Sequence, residues 1–253
     1  MRLSNSGIQL FKACRRKYEL KYVEGLIPLQ SPDVVERGKS YHEKVEMLLS
    51  GQEFEFDDPK TDAMALAFQK YIMPKVGKVD AVEEWFHVDL PDGNTIVGRC
   101  DGRLQDGRLI EHKTTSSDLD EAYIAGLQND EQILTYMWAY GVNNILYTVC
   151  KSPTIRLRKN ETDDEFRQRC LEWYDEDTET KIGTIDVYRS PEEVSEFGHD
   201  ISLMSQEITE CHNFYRVPSH CMKWNRPCEY MAVCRNYDPQ MEYIGFTKGE
   251  KKS

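Results

Sequence analysis

Residues 95–115, TIVGRCDGRLQDGRLIEHKTT, contain acidic and basic side chains at a spacing that suits hydrolytic chemistry. Apolar residues alternate there with glycines and charged residues on both sides of Gln105-Asp106-Gly107. This pattern predicts two short strands joined by a tight turn. Three-residue turns of this kind favour glycine in the left-handed conformation, which is the position that Gly107 would occupy.

The register of this hairpin decides which side chains meet. With residues 105–107 as the loop, counting outward places Asp101 opposite Glu111. The same register places Arg99 opposite Lys113, so two carboxylates and a lysine converge on one face. Opposed carboxylates repel unless a cation lies between them, and a hard divalent ion with oxygen ligands would fill that role. The alternative is a solvated surface hairpin with ordinary charged residues.

Two predicted helices carry further polar pairs. His42 and Glu46 lie one turn apart on a helix over 34–49, so an imidazole and a carboxylate could reach one ion. A lone helical histidine is more often a partly buried side chain. Gln132 and Tyr136 are four residues apart on a helix over 117–140 and therefore share one side of it.

The cysteines are unevenly distributed along the chain. Three fall within fourteen residues near its end, at Cys221, Cys228 and Cys234. In a cytosolic protein such density indicates metal or cluster ligation more than packing. The candidates for a fourth ligand are Cys14, Cys211, His212 and His220. Zinc and an iron-sulfur cluster both remain open at this point.

Taken together, these features resemble the PD-(D/E)XK nuclease superfamily, in particular its RecB-like exonuclease branch with an iron-sulfur cluster. That branch includes the CRISPR-associated RecB-like exonucleases, the AddB nuclease domain and many phage proteins. In chain order the matching motifs are Cys14, Gly38-x-x-x-His42, Asp101, Glu111-His112-Lys113, Gln132-x-x-x-Tyr136 and the three C-terminal cysteines.

The resemblance implies a metal site. Asp101 and Glu111, with the backbone carbonyl of His112, would hold a Mg or Mn ion, and His42 would complete the site. Phosphodiester hydrolysis needs what such an ion supplies, namely an acidified water and a Lewis acid for the phosphate.

The resemblance also implies roles for the remaining motifs. Lys113 would orient or activate the attacking water and offset charge in the transition state. Gln132 and Tyr136 would position DNA and support the lysine. A four-iron four-sulfur (4Fe-4S) cluster would be ligated by Cys14, Cys221, Cys228 and Cys234. The six residues between Cys221 and Cys228 are a wider gap than in many members, which leaves Cys211 as an alternative to Cys221.

The elements that position these residues read as an α/β fold. A strand over 81–90, the hairpin, the helix over 117–140 and a buried strand over 143–151 predict a mixed central sheet flanked by helices. The resemblance makes this a restriction-endonuclease-like core. The further predicted elements are a first helix from about 6 to 24, a strand at 154–158, a helix over 161–180, an edge strand over 182–189 and a final helix over 191–214.

We expect one nuclease domain over 1–253. Residues 1–30 and 205–240 would form the iron-sulfur region around a catalytic core at 80–190. The cluster would then join the N-terminal and C-terminal segments of the chain. Cys100 and Cys150, which lie in apolar strand patterns, are predicted to be small buried hydrophobes.

Composition limits the classes of function. The chain has 253 residues, with 40% hydrophobic and 30% charged side chains, which suits a globular protein. No stretch approaches the roughly 20 apolar residues of a bilayer span, and the N-terminus lacks a signal-peptide run, so a cytoplasmic location is expected. A net charge of −12 weighs weakly against nucleic acid, because carboxylates gathered around a metal add to the count.

The leading hypothesis is a metal-dependent DNA nuclease, acting as an exonuclease on ends or single strands. Its partners would be DNA and proteins of recombination or CRISPR adaptation. The alternative is a cluster-bearing, DNA-binding subunit of such a complex with little or no cleavage of its own. A third hypothesis is a zinc-stabilised structural protein.

Overall fold

The computed structural model describes residues 1–29, 33–223 and 226–249, with the side chains of residues 33 and 34 left aside. In chain order the α-helices are α1 (Asn5–Ala13), α2 (Arg15–Tyr18), α3 (Asp33–Leu49), α4 (Pro59–Ala67), α5 (Glu121–Leu127), α6 (Glu131–Tyr140), α7 (Asp163–Glu176), α8 (Thr178–Lys181), α9 (Pro191–Glu210) and α10 (Met231–Arg235). Two π-helical segments, Glu19–Val23 and Phe68–Ile72, continue α2 and α4, and Pro218–His220 is a 3-10 helix. The strands are β1 (Arg2–Leu3), β2 (Leu26–Pro28), β3 (Val79–Asp89), β4 (Thr95–Leu104), β5 (Leu109–Thr115), β6 (Asn144–Lys151), β7 (Ile182–Tyr188), β8 (Met222–Lys223), β9 (Arg226–Pro227) and β10 (Phe246–Lys248).

The chain forms two compact units. One takes in the described residues of 33–85 and 99–194, and the other those of 1–32, 86–98 and 195–253. The expected single nuclease domain over 1–253, with its iron-sulfur region, stays a prediction. It includes residues 30–32, 224–225 and 250–253, which lie outside the described residues.

The unit of residues 33–85 and 99–194 is built on a mixed sheet. Strand β4 pairs with β3 and with β5, β5 runs parallel to β6, and β6 is antiparallel to β7. Gly102 pairs with Ile110, which is the predicted hairpin register, and Gly107 has φ +90° in the turn. The predicted mixed sheet and the loop at 105–107 are therefore confirmed.

Helices pack on this sheet through a buried apolar cluster. Tyr41 of α3, Met64 of α4 and Tyr174 of α7 meet Cys150 of β6 there, all fully buried. Cys100 is also fully buried, so the prediction that these two cysteines are core residues is confirmed. The predicted class, a central mixed sheet flanked by helices, describes this unit.

The connection from β5 to β6 differs from the predicted single helix over 117–140. It contains two helices, α5 and α6, with residues 128–130 between them. The carboxylate of Asp130 accepts a hydrogen bond from the backbone N–H of Gln132 at 2.9 Å, so it caps a new helix at this point. Capping, which competes with helix continuation, explains why the single helix was wrong.

The strand predicted at 154–158 is also absent: residues 152–158 have no regular secondary structure. The side chain of Arg169 donates to the carbonyl of Arg156 at 2.8 Å. The Arg156 carbonyl therefore accepts from a side chain, whereas in a sheet it would accept from the backbone N–H of a neighbouring strand.

In the unit of residues 1–32, 86–98 and 195–253, strand β1 pairs in parallel with the start of β4. The predicted first helix is interrupted at Cys14, which is extended at φ −162° and ψ 106°. The backbone N–H of Cys14 still donates to Leu10, and that of Tyr18 to Cys14. The break therefore leaves these backbone groups paired.

Among the described residues, no helix is both long and apolar enough to cross a bilayer.

Candidate active site

Asp101 lies at the centre of a polar cluster at the open end of the β4–β5 hairpin. One carboxylate oxygen, Oδ2, accepts a hydrogen bond from the backbone N–H of His112 at 2.7 Å. The other, Oδ1, lies 3.3 Å from Nδ1 of His42 on α3. Burial acts to raise the pKa of Asp101, but these two histidine contacts outweigh it and the pKa is lowered. Asp101 is thus held as a carboxylate.

Glu111 is the second carboxylate, and it is 2% exposed. Its Oε1 accepts hydrogen bonds from Nζ of Lys113 and from Nε2 of Gln132, each at 2.8 Å. Its Oε2 is buried and has no hydrogen-bond partner among the described residues. Burial, and next the charge of Asp101, raise the pKa of Glu111 to about 7. This acidic pair is incompletely neutralised by the protein itself.

Gln132 of α6 connects the acidic pair to the lysine. Its Oε1 accepts from Nζ of Lys113 at 2.6 Å, while its Nε2 donates to Glu111 and to the hydroxyl of Tyr136 at 2.7 Å. The hydroxyl of Tyr136 in turn donates to the carbonyl of Arg99 at 2.9 Å. The side chains of Lys113, Gln132 and Tyr136 are therefore brought together with Glu111. That Gln132 and Tyr136 share one side of a helix was deduced from their spacing, and that they lie near the lysine was implied by the resemblance.

Asp130 is a member of this network that the sequence analysis missed. Its Oδ2 accepts from the hydroxyl of Tyr147 at 2.7 Å and lies 3.5 Å from Nζ of Lys113. Burial acts to lower the pKa of Lys113, but the Glu111 and Asp130 carboxylates outweigh it and raise the pKa. Lys113 therefore stays protonated at neutral pH. An acidic residue just before the helical turn that carries Gln132 is the signal that could have found it.

His112 faces away from the two carboxylates, because successive side chains of a strand project to opposite sides. Its Nδ1 lies 2.6 Å from the hydroxyl of Thr148 on β6, and burial lowers the pKa of its imidazole to about 4. The neutral ring is therefore a packing group. Only the backbone of His112 is left as a contributor to the predicted metal site.

A divalent cation fits the donors at this site. A cation is favoured by the two neighbouring carboxylates and by the raised pKa of Glu111. It is also favoured by the buried Oε2 of Glu111, which has no hydrogen-bond partner among the described residues. Across residues 1–29, 33–223 and 226–249, no three His, Cys, Asp or Glu side chains form a ready-made metal centre. The donors are thus Asp101, Glu111 and neighbouring backbone or water, with His42 already directed at Asp101.

The cysteines of the other unit line a small cavity of about 80 Å³. All four predicted ligands border it, namely Cys14, Cys221, Cys228 and Cys234, whereas Cys211 does not. None of the cysteines forms a disulfide. Burial raises the pKa of the Cys228 thiol, and the nearby Cys14 raises it further. Thiolates are the ligands that zinc and iron-sulfur clusters bind, so the types of donor around this cavity suit such a group. No three of these side chains form a metal centre in the described residues.

Comparisons with known proteins give only distant likenesses. No family model and no curated protein matches the sequence. A putative exonuclease from Eubacterium rectale has 13% identity and a TM-score of 0.47, with 96% of this chain and 90% of that chain covered. The alkaline exonuclease LHK-Exo from Laribacter hongkongensis has 14% identity and a TM-score of 0.37, with 82% and 88% covered.

A phage-related exonuclease from Haemophilus somnus has 15% identity and a TM-score of 0.34, with 75% of this chain and 90% of that chain covered. These identities and TM-scores are too low to assign a family to this chain. The residues of the site must therefore carry the functional conclusion.

Proposed function

We propose that this protein is a divalent-metal-dependent deoxyribonuclease that hydrolyses phosphodiester bonds, acting as an exonuclease at DNA ends. The observation that carries the proposal is the Asp101–Glu111 pair, in which Glu111 is buried, has an unpartnered Oε2 and lies beside a fixed lysine. This is the donor set that a hard cation and a phosphate require together.

Asp101 and Glu111 would hold Mg or Mn, with the His112 carbonyl and His42 as further ligands. When bound, the ion lowers the pKa of a water molecule and stabilises negative charge on the phosphate. The hydrogen bond from the His112 N–H keeps Asp101 oriented toward that position. The unpartnered Oε2 of Glu111 supplies an oxygen that no protein donor competes for among the described residues.

Lys113 acts as a cation at this site. Because its pKa is raised, it stays charged at neutral pH and can contact the scissile phosphate or orient the attacking water. Gln132 and Asp130 hold the ammonium in place from two directions. Tyr136 fixes Gln132, so the helix α6 positions the lysine that β5 supplies.

The cavity bordered by the four cysteines is proposed to hold a 4Fe-4S cluster with a structural role. The cluster would tie Cys14 to the last third of the chain, closing a loop of about two hundred residues. A brown preparation with broad visible absorbance and four irons per chain is the expected result. A colourless preparation with stoichiometric zinc would contradict the cluster and favour a zinc site.

The nuclease proposal is tested with end-labelled linear DNA, circular DNA and RNA, with Mg or Mn and with EDTA. Wild type is expected to degrade linear DNA only with the metal. Asp101→Asn removes a ligand charge and should lower the rate at least about 100-fold. Lys113→Met should lower it by about 100-fold because the cation is lost. Arg158→Met, which changes an exposed cation in the same unit, is the control and should leave the rate unchanged.

Two results would contradict the proposal. Equal rates for wild type, Asp101→Asn and Lys113→Met would assign any cleavage to a contaminant. Complete absence of cleavage by metal-loaded protein, together with stable capture in a recombination or CRISPR-adaptation complex, would favour the DNA-binding subunit instead. Rapid loss of circular DNA would replace the exonuclease with an endonuclease.

A further inference from the structure

Trp85 and Arg99 form an exposed aromatic and cationic pair on the side of the sheet that carries Asp101. Trp85 lies on β3 and is 59% exposed. The central carbon of the Arg99 guanidinium, on β4, lies 5.5 Å from the centroid of the indole. Arg99 and Asp101 are two residues apart on one strand, so they project to the same side.

A backbone irregularity places Trp85 there. Asp80 of β3 contacts Arg103, and Trp85 contacts Arg99 on the same side of β4. Asp80 and Trp85 are five residues apart, so a regular strand would send them to opposite sides. Between them Glu83 has φ +53°, the left-handed conformation that non-glycine residues seldom adopt. This bulge changes the alternation and brings the indole to the side of Asp101.

Glu83 also helps to position Arg99. Its carboxylate forms an ion pair with the Arg99 guanidinium. Burial raises the pKa of Glu83, as do the nearby Asp101 and Glu46 carboxylates, while Arg99 lowers it. The guanidinium is thus held between the Glu83 carboxylate and the indole.

The surroundings favour a base over a phosphate as the contact. Glu46, Glu83, Asp101 and Glu111 gather on this part of the unit, and the chain carries a net charge of −12. Electrostatic attraction for a phosphate backbone is therefore weak here. Stacking on an aromatic ring needs no net positive charge and tolerates any base.

We propose that Trp85, steadied by Arg99, stacks a nucleobase of a single-stranded DNA end beside the Asp101–Glu111 site. This role rests on the proposed nuclease function and narrows its substrate to unpaired strands. Arg99, beside the indole, and Asp101 are two residues apart on β4, a length of about 7 Å. Two stacked nucleotides of one strand span about the same length. The stacked base would thus lie within about two nucleotides of the scissile bond.

The test measures DNA binding in Ca²⁺, in place of Mg²⁺, by fluorescence anisotropy. The probes are single-stranded oligonucleotides in which one abasic site is moved along the first positions from the end. Trp85→Ala should bind the intact strand roughly 10-fold more weakly, because one stacked base is worth about 5- to 150-fold in affinity. Trp85→Phe keeps a ring and should retain most of the affinity. Tyr188→Ala removes an aromatic residue that is 63% exposed elsewhere in the same unit and should bind as wild type does.

The abasic series identifies the contact. In wild type, an abasic site at one position near the end should weaken binding by about as much as Trp85→Ala does. In Trp85→Ala the same abasic site should cost nothing more. An unchanged affinity in Trp85→Ala, or an abasic penalty that persists in that variant, would overturn the stacking role.

Parallel cleavage assays separate the two proposals. Metal-dependent cleavage that is lost in Asp101→Asn, with wild-type binding by Trp85→Ala, would overturn stacking alone. Neither cleavage nor DNA binding by wild type would overturn both. Sedimentation compares the oligomeric states of Trp85→Ala and wild type. A change of oligomeric state in the variant would overturn stacking and assign the indole to a contact between copies of this chain.

Discussion

The carboxylate site and the cysteine cavity differ in how far the polypeptide alone has built them. At the carboxylate site, strand register and one helix fix Asp101, Glu111, Lys113 and Gln132 through hydrogen bonds of 2.6–2.8 Å. At the cavity, four cysteines border a common space, but Cys234 alone of them lies on a helix, the five-residue α10, and Cys14, Cys221 and Cys228 lie between elements.

The two bound groups would therefore contribute in different ways. A cation at the carboxylates enters a site that exists without it, so it supplies chemistry more than structure. A cluster or zinc at the cysteines would organise its own ligands, and its binding energy would then be folding energy. Removal of the two groups should therefore have opposite effects on stability and on activity.

The largest effect is expected from the cavity. Cys228→Ser should abolish the bound iron or zinc and lower the free energy of unfolding by about 3–5 kcal/mol, because the cross-link between distant segments is lost. Metal analysis and urea denaturation measure the two consequences. Cys211→Ser, a cysteine that does not border the cavity, is the matched control and should change neither. Equal metal content in Cys228→Ser and wild type would contradict the assignment.

The next effect concerns pH and the metal-free carboxylate site. The folded-state pKa of Glu111, about 7, lies above that of an exposed glutamate. Protonation is therefore favoured by folding, and this stability is fully present below about pH 4 and lost as the pH rises through 7. The loss amounts to about 3 kcal/mol. Denaturation in EDTA at pH 5 and pH 8 measures it.

Glu111→Gln is the comparison for that measurement. The variant lacks the titrating group, so its stability should fall less between pH 5 and pH 8 than that of wild type. Divalent metal should also reduce the fall in wild type, because it stabilises the ionised carboxylate. Parallel pH profiles for Glu111→Gln and wild type would show that the buried charge has no such cost.

The smallest effect is expected for the residue that positions the lysine. Gln132→Leu removes the hydrogen bonds to Lys113, Glu111 and Tyr136, and should lower kcat by about 10- to 100-fold with little change in KM. The control is Gln168→Leu, which changes a glutamine of α7 whose side chain donates to Glu172 at 3.3 Å. A raised KM with unchanged kcat would reassign Gln132 to substrate binding.

Much of the carboxylate site could be predicted from sequence because it depends on strand register. A three-residue turn with Gly107 allows one alternation, so the facing of Asp101 and Glu111 followed from counting. Gln132 and Tyr136 were paired by their helical spacing. The helix predicted over 117–140 is instead two helices, and the residues it wrongly included, 117–120 and 128–130, lie before either of these positions.

What sequence could not give is the part that depends on tertiary contacts. Asp130 was missed because it both caps a helix and lies near Lys113, and the sequence does not show which acidic residues will lie near a given lysine. The left-handed conformation of Glu83 has no residue-type signal, since glycine or asparagine usually fills such positions. The interruption at Cys14 was invisible because the apolar spacing continues through it.

The hydrogen bonds that link Asp101, Glu111, Lys113 and Gln132 join residues that are close along the chain. The bonds from His112 to Asp101, from Lys113 to Gln132 and from Gln132 to Glu111 close separations of 11, 19 and 21 residues. Loops of this length lose little entropy on closure. One hairpin with the crossover segment that follows it can therefore assemble the reactive groups early in folding, before the distant ends of the polypeptide meet.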